Sequence, residues 1–362
     1  MTKNLFISAT RQNDGKTMVS LGLFKAFQQR FDPISYIKPV GQEYHWVDNE
    51  KIDKDAILFQ DVYQTKDALS DMSPVAVHKG FTEEYIQNRD PHPISERIKN
   101  SYNALAKNKD FVLIEGTGHA GVGSVFDHAN AQVAKLLGSK AIIVALGGIG
   151  RSIDELMLNK ACFDQMGVEI IGVIVNKIQK DKYERVKSAV KQGLDNKGIK
   201  LLGAIPYIRM LSSPSIKVLL DGLKAELLSG GDFLNNKADT VLIGAMASHD
   251  ALNYFTPNTF LIVPGNRDDL IMTALFVNNA ETVNYSISGM VFTGGIEPNE
   301  KVLEMIKLTE IPAMVVPEDS YTVATRINNM IIKVRSEETQ KIDTVQSLIE
   351  EYVDVDQICS LL

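Results

Sequence analysis

Cysteine is nearly missing from this chain: its 362 residues include two, Cys162 and Cys359. Two thiols build neither a disulfide framework nor a thiolate zinc site. Positive charge is also short, with 38 Lys and Arg against 45 Asp and Glu and a net charge of −7. That balance argues against a module that grips the phosphate backbone of a nucleic acid. No apolar run reaches the roughly 18 residues a membrane span requires. The opening MTKNLFISATRQNDGKT lacks the apolar stretch of a signal peptide, so the expected location is cytoplasmic. The six histidines, His119 among them, show no metal-ligand spacing. No low-complexity tract or internal repeat stands out.

What is present is an ordinary globular composition, 44% hydrophobic and 23% charged, long enough for two domains. Asn4–Ser8, Ile34–Lys38, Phe111–Glu115, Ala141–Leu146, Ile170–Asn176 and Leu201–Ile205 are apolar runs of strand length. Thr17–Arg30, Asp127–Leu137, Asp154–Met166 and Asp181–Lys197 have helical spacing. Strands apolar on both faces, alternating with helices, predict a doubly wound α/β domain with a mostly parallel sheet. Ligands of such a domain sit at the carboxyl ends of its strands.

The polar, proline-broken Ser212-Ser213-Pro214-Ser215 marks a boundary. A helix is expected from Ile216 to Leu228, ending at Gly230-Gly231. Alternation then resumes, with strands expected at Thr240–Met246, Thr259–Val263, Gly289–Thr293 and Ala313–Val316. Helices are expected near Ala251 and over Asp268–Asn278, Glu300–Leu308 and Thr322–Ile332. The division is therefore a domain over 1–210, a smaller α/β domain over 214–335, and a helical tail over 336–362 that caps another element.

The strongest chemical signal follows the first strand. Arg11, Gln12, Asn13, Asp14, Gly15, Lys16, Thr17 and Met18 lead from that strand into the first helix. A phosphate is held by converging backbone N–H groups, a helix N-terminus behind it and a lysine in front. Gly15 permits close backbone approach, Lys16 reaches the β- and γ-phosphates, and the Thr17 hydroxyl suits Mg²⁺. The usual first glycine of such a loop is missing, with Ala9 or Thr10 in its place.

Other strand ends agree. Glu115 closes an apolar strand, placed for Mg²⁺ or for water at the γ-phosphate, and is followed by the glycine-rich Gly116–Gly123. Asn176-Lys177 ends a late strand, where the asparagine amide can pair with a purine edge. Lys38 ends the second strand where substrate would lie.

The set GKT (Gly15–Thr17), KPV (Lys38–Val40), KDA (Lys54–Ala56), EGTG (Glu115–Gly118), VNK (Val175–Lys177) and GAIP (Gly203–Pro206) resembles the dethiobiotin synthetase family of P-loop ATPases. It is most similar to the branch that forms the N-terminal region of long bacterial phosphotransacetylases. That resemblance implies ATP and Mg²⁺ as cofactors. It implies Thr17, Asp55 and Glu115 as metal ligands, Lys16, Lys38 and Glu115 as catalytic groups, and Asn176 at adenine. Gly116, Lys177 and Pro206 complete the nucleotide contacts it implies.

Gly244–Met246, Pro264–Leu270 and Thr293–Gly295 resemble the DRTGG domain, with Asn266 in place of the usual aspartate. Arg267, Asp268, Gly294 and Gly295 are the candidate ligand residues there. The competing reading has Asp268 capping a helix and Arg267 bridging to it.

Two departures shape the functional reading. Dethiobiotin synthetase carries a threonine and a glutamate in its loop where this chain has Gln12 and Asn13, so biotin synthesis is not expected. A whole phosphotransacetylase needs a further catalytic domain after residue 340, so acetyl transfer is not expected of these residues. Arg11 stands five residues before Lys16, where partition-type P-loop ATPases carry a lysine that reaches across a dimer. It is read as a solvated arginine, with the trans-acting role as alternative.

The preferred function is an ATP- and Mg²⁺-binding regulatory or sensor protein with a second small-molecule ligand. It would act in a homo-oligomer, expected to be a dimer, on an enzyme that handles an acyl phosphate. The alternative is an ATP-dependent ligase of the dethiobiotin synthetase type, acting on a small carboxylic acid. A structural protein with a decayed loop is the third reading.

Overall fold

The computed structural model describes residues 2–278, 285–330 and 332–362. The chain forms two compact units, Met1–Tyr207 with Val334–Leu362, and Ile208–Lys333. The second unit is thus an insertion in the sequence of the first.

In the first unit six strands carry the site: β1 (Lys3–Ala9), β2 (Ile34–Ile37), β3 (Phe111–His119), β4 (Lys140–Leu146), β5 (Ile170–Ile178) and β6 (Leu201–Pro206). Their order is β6-β5-β4-β1-β3-β2 and every neighbouring pair is parallel. Helices α1 (Lys16–Gln28), α2 (Lys54–Tyr63), α3 (His92–Ala106), α4 (Asn130–Leu136), α5 (Gly150–Met166) and α6 (Tyr183–Asp195) follow in the chain. Phe6, Phe24, Phe27, Phe111 and Phe163 are wholly buried in the core these layers enclose. Asn4–Ser8 and its partners read as unbroken apolar runs because both faces of this sheet are covered.

The glycines after Glu115 alter one strand. β3 runs four residues past Glu115, and its register against β1 shifts between the Ile7–Glu115 and Ala9–His119 pairs. The strand bulges there, as small residues allow. The glycine-rich Gly116–Gly123 is therefore partly strand.

Residues 334–362 belong to the first unit. Helix α11 (Thr339–Tyr352; α7 to α10 are the helices of the second unit, given below) packs on α1. A Cβ on Gly22 would stand 2.2 Å from Ile349 Cγ1, so this glycine is what lets the two helices meet. Beyond α11, Val353 bridges antiparallel to Gly203, and the Asp354 N–H donates to the Leu202 carbonyl at 2.8 Å. The tail ends in α12 (Val355–Leu361).

The second unit holds β7 (Glu226–Ser229), β8 (Thr240–Ile243), β9 (Thr259–Pro264), β10 (Ile287–Thr293) and β11 (Ala313–Val315). Their order is β7-β11-β10-β9-β8, parallel except where β7 runs against β11. Its helices include α7 (Ile216–Leu223), α8 (Asp268–Asn278), α9 (Glu300–Lys307) and α10 (Ser320–Asn328). The helix expected from Ile216 to Leu228 is corrected here. It stops at Leu223, Lys224 turns into the left-handed region at φ 54°, and Glu226–Ser229 becomes an edge strand. Backbone pairing with β11 outweighs the apolar spacing that suggested a longer helix. α10 closes at Asn328; the expected extension to Ile332 includes residue 331, which lies outside the described residues.

Candidate functional site

The site is assembled at the carboxyl edge of the first sheet. β1 ends at Ala9, and the chain turns through Asn13 (φ 71°) and Gly15 (φ 99°) into α1. No side chain caps that 13-residue helix. Its first N–H groups are thus left to solvent or to an anion. Asp14 shapes the loop from within: its Oδ2 accepts from Thr10 Oγ1 at 2.6 Å and from the Arg11 N–H at 2.8 Å. Burial holds the Asp14 carboxyl above its ordinary range.

One linked cluster joins four of the predicted residues. Lys38 Nζ donates to Asp55 Oδ2 at 2.6 Å and to Glu115 Oε1 at 2.8 Å. The same Glu115 oxygen accepts from Thr17 Oγ1 at 2.9 Å. Glu115 Oε2 accepts from the Tyr36 hydroxyl at 3.3 Å. Side-chain exposures of 6%, 4% and 0% for Lys38, Asp55 and Glu115 make this a buried ion cluster. Lys16 joins its edge, donating to the Gly118 carbonyl at 2.9 Å. Burial, then repulsion from Lys38, lowers the Lys16 ammonium from its ordinary 10.5 to about 8. Burial also presses on Lys38, yet Asp55 and Glu115 reverse it and hold that ammonium well above its ordinary value.

Local structure explains each placement. Lys38 follows β2 directly. Asp55 lies in the first turn of α2, whose N-cap Asp53 accepts the Asp55 N–H at 2.9 Å. Glu115 pairs across from Ile7 near the end of β1. A hydroxyl and two carboxylates are hard oxygen donors, the set that suits Mg²⁺. The residues present therefore fit a magnesium–triphosphate site.

Asn176 is buried on β5, and its amide serves the loop. Nδ2 donates to the Asp14 carbonyl at 2.9 Å, and Oδ1 accepts the Lys177 N–H at 2.9 Å. Lys177 Nζ donates to the Asn13 carbonyl at 2.7 Å. Arg11 forms an ion pair with Glu155 on α5 rather than standing solvated alone. Gln12 is exposed, Met18 is half-buried on α1, and Pro206 is buried at the end of β6. Gly116 lies against Phe6 and Asn130, where a Cβ would meet both at 2.7 Å.

Four residues outside the predicted set hold these pieces in place. Tyr36 bonds Glu115, and Asp53 caps α2. Asn159 donates to the Thr10 carbonyl at 3.1 Å and accepts from the Ala120 N–H at 2.8 Å, so it ties the loop to the end of β3. Asn130 accepts from the Thr117 N–H and donates to the carbonyls of Thr117 and His119. A buried asparagine on an otherwise apolar helix face was the available signal for the last two.

In the second unit Arg267, Gly294 and Gly295 each bond to residues outside the candidate set. Arg267 donates to the Met246 carbonyl at 2.8 Å, to Gly244 at 3.3 Å, and to both Asp269 oxygens at 2.8 and 2.9 Å. Its acidic partner is thus Asp269, while Asp268 is exposed. Gly294 and Gly295 take positive φ, and their N–H groups donate to the carbonyls of Glu318 and Val316. Among the described residues no cluster of His, Cys, Asp and Glu could hold a metal without other donors, and no helix is long and apolar enough to cross a membrane.

A P-loop NTPase-like sheet bearing this loop defines the class, and the comparisons agree. The chain belongs to the AAA domain family, whose model matches residues 3–215. The DRTGG domain model matches residues 218–330. Phosphate acetyltransferase of Synechocystis sp. is 26% identical over 370 residues, covering 100% of this chain and 52% of the relative. Phosphate acetyltransferase of Nitratidesulfovibrio vulgaris is 25% identical over 371 residues, with the same 100% and 52% coverage. The chain spans about half the length of the curated relatives it matches. Among solved structures, the MinC:MinD cell division protein complex of Aquifex aeolicus overlaps 58% of this chain and 84% of its own, at 17% identity and a TM-score of 0.38.

Proposed function

We propose that the first unit binds ATP with Mg²⁺ and that the chain is a nucleotide-responsive regulatory module related to the N-terminal region of phosphate acetyltransferases. The observation that carries this reading is the buried cluster of Lys38, Asp55 and Glu115, joined by the half-buried Thr17, beside an uncapped helix N-terminus. Bound Mg²⁺ would supply charge neutralisation between phosphate oxygens, held by Thr17, Asp55 and Glu115. Lys16 and the first N–H groups of α1 bind phosphate, and Asp14, Asn176 and Asn159 keep the loop in shape for it.

Slow turnover follows from Glu115. Both its oxygens are engaged, by Thr17, Lys38 and Tyr36, and it is fully buried. Buried, bonded by Tyr36 and assigned to the metal in this reading, that carboxylate is a poor base for water. In this reading the DRTGG domain takes a second small-molecule ligand at Arg267, Asp268, Gly294 and Gly295. The module works as a homodimer on an enzyme that handles an acyl phosphate.

A second reading, an ATP-dependent ligase acting on a small carboxylic acid, draws on Lys38, a cation at the strand edge where such an acid would lie. Titration calorimetry separates the possibilities. Mg-ATP should bind wild type and lose most of its heat with Lys16→Ala; equal heats would remove the loop as the site. Phosphate release should stay slow across a panel of small carboxylic acids. Strong stimulation by one of them would replace the regulatory reading with the ligase.

A further inference from the structure

Lys38 bridges two carboxylates, one of which also receives the Thr17 hydroxyl. Its Nζ lies 2.6 Å from Asp55 Oδ2 and 2.8 Å from Glu115 Oε1, and that same Glu115 oxygen lies 2.9 Å from Thr17 Oγ1. These are the three side chains that the reading above assigns to Mg²⁺. An ammonium therefore already offsets part of the donor set's negative charge from inside the protein. Other charged and polar groups face the cluster: Asp53 at the start of α2 adds negative charge, Tyr36 bonds the far oxygen of Glu115, and Lys16 opposes Lys38 from the loop.

We propose that Lys38 is a built-in counter-cation that closes the Thr17–Asp55–Glu115 pocket to free divalent ions and opens it only when a polyphosphate arrives. The physical reason is charge balance in a buried place. Two carboxylates deprived of a cation there are costly. A divalent ion entering beside Lys38 would stand against its ammonium at the Glu115 oxygen the two would share. A polyphosphate removes the conflict, because its anionic oxygens give the Lys38 ammonium a new partner as the metal takes the carboxylates. The opening step rests on the Mg-ATP reading; the closed state rests on the pocket alone. Metal and nucleotide should therefore load together, and the metal alone should not load.

The test uses Mn²⁺ as the probe, with the full chain and no nucleotide, and counts free Mn²⁺ by electron paramagnetic resonance. Wild type should bind no Mn²⁺ below the millimolar range. Lys38→Met and Lys38→Gln should each tighten Mn²⁺ binding by about tenfold or more, the signature of a lost competing charge. Lys38→Arg keeps the charge and should behave as wild type. Lys38→Met combined with Asp55→Asn should lose the gain. Mn²⁺ should also raise the melting temperature of Lys38→Met and Lys38→Gln but not of wild type, a readout that serves even for weakly folded variants. Tight Mn²⁺ binding by nucleotide-free wild type overturns the inference, as does the absence of both gain and melting shift in the two neutral variants. Mg-ATP calorimetry on wild type is run beside it. A Mn²⁺ gain without ATP binding sinks the nucleotide reading and leaves the closed pocket standing, while ATP binding without the gain sinks only the counter-cation.

Discussion

The side-chain amide of Asn176 occupies the space that a side chain on Gly15 would need. A Cβ built on Gly15 would stand 2.3 Å from Asn176 Nδ2, which donates to the neighbouring Asp14 carbonyl at 2.9 Å. Loop and late strand are thus locked by a glycine on one side and an amide on the other.

Gly15→Ala should break this lock twice over. The φ of 99° is hostile to any L side chain, and the new methyl must expel the amide. The expected loss is about 1–2 kcal/mol of stability from the backbone alone. Mg-ATP affinity should fall by more than about tenfold, a loss above 1.4 kcal/mol. Thermal melts and calorimetry on the variant check both; unchanged affinity would mean that the loop does not hold phosphate.

The lowered Lys16 ammonium predicts a pH profile. Its value drops from 10.5 to about 8 in the ligand-free protein. Phosphate favours the charged form, so binding takes up a proton as pH nears that value, and Mg-ATP affinity should weaken as pH rises from 7 through about 9. Calorimetry at pH 8 in buffers of different ionisation heat should register this uptake, and Lys16→Ala should abolish it. For folding the sign is the reverse. Between about 8 and 10.5 the unfolded chain binds more protons, so this residue's contribution to stability grows with pH there.

Ile349 is the residue that docks α11 on α1, and it is 1% exposed. Ile349→Ala should cost about 2–4 kcal/mol and lower the melting temperature of the first unit. A change below about 0.5 kcal/mol would place the contact at the surface.

Arg267→Ala should remove the bonds to Gly244, Met246 and Asp269. The second unit should lose about 1–2 kcal/mol. Calorimetric heat for Mg-ATP should stay at the wild-type level. A coincident loss of ATP binding would show that the arginine acts beyond its own unit.

The parallel sheet was legible because continuous apolar runs and a Gly-Lys-Thr turn recur at the right spacing. Lys16, Thr17, Lys38 and Glu115 were legible because they fall at strand ends or the first turn of a helix, where chemistry collects; Asp55 was legible only through the resemblance that its Lys-Asp-Ala motif carries. Less could be read of Tyr36, Asn130 and Asn159. Their roles come from neighbours 79, 13 and 149 residues away, and no local pattern carries such a pairing. Glu226–Ser229 misled for the same reason. Its apolar residues continue a helical spacing, and only the distant β11 makes them a strand.

The packing of Ile349 against Gly22 also has a consequence in time. The ribosome makes α11 some three hundred residues after α1, once the whole second unit has been made. Until α11 emerges, α1 lacks its packing partner at Gly22. The helix that begins with Lys16 therefore gains its outer support late in synthesis, and the first unit cannot complete its folding while the nascent chain is still short.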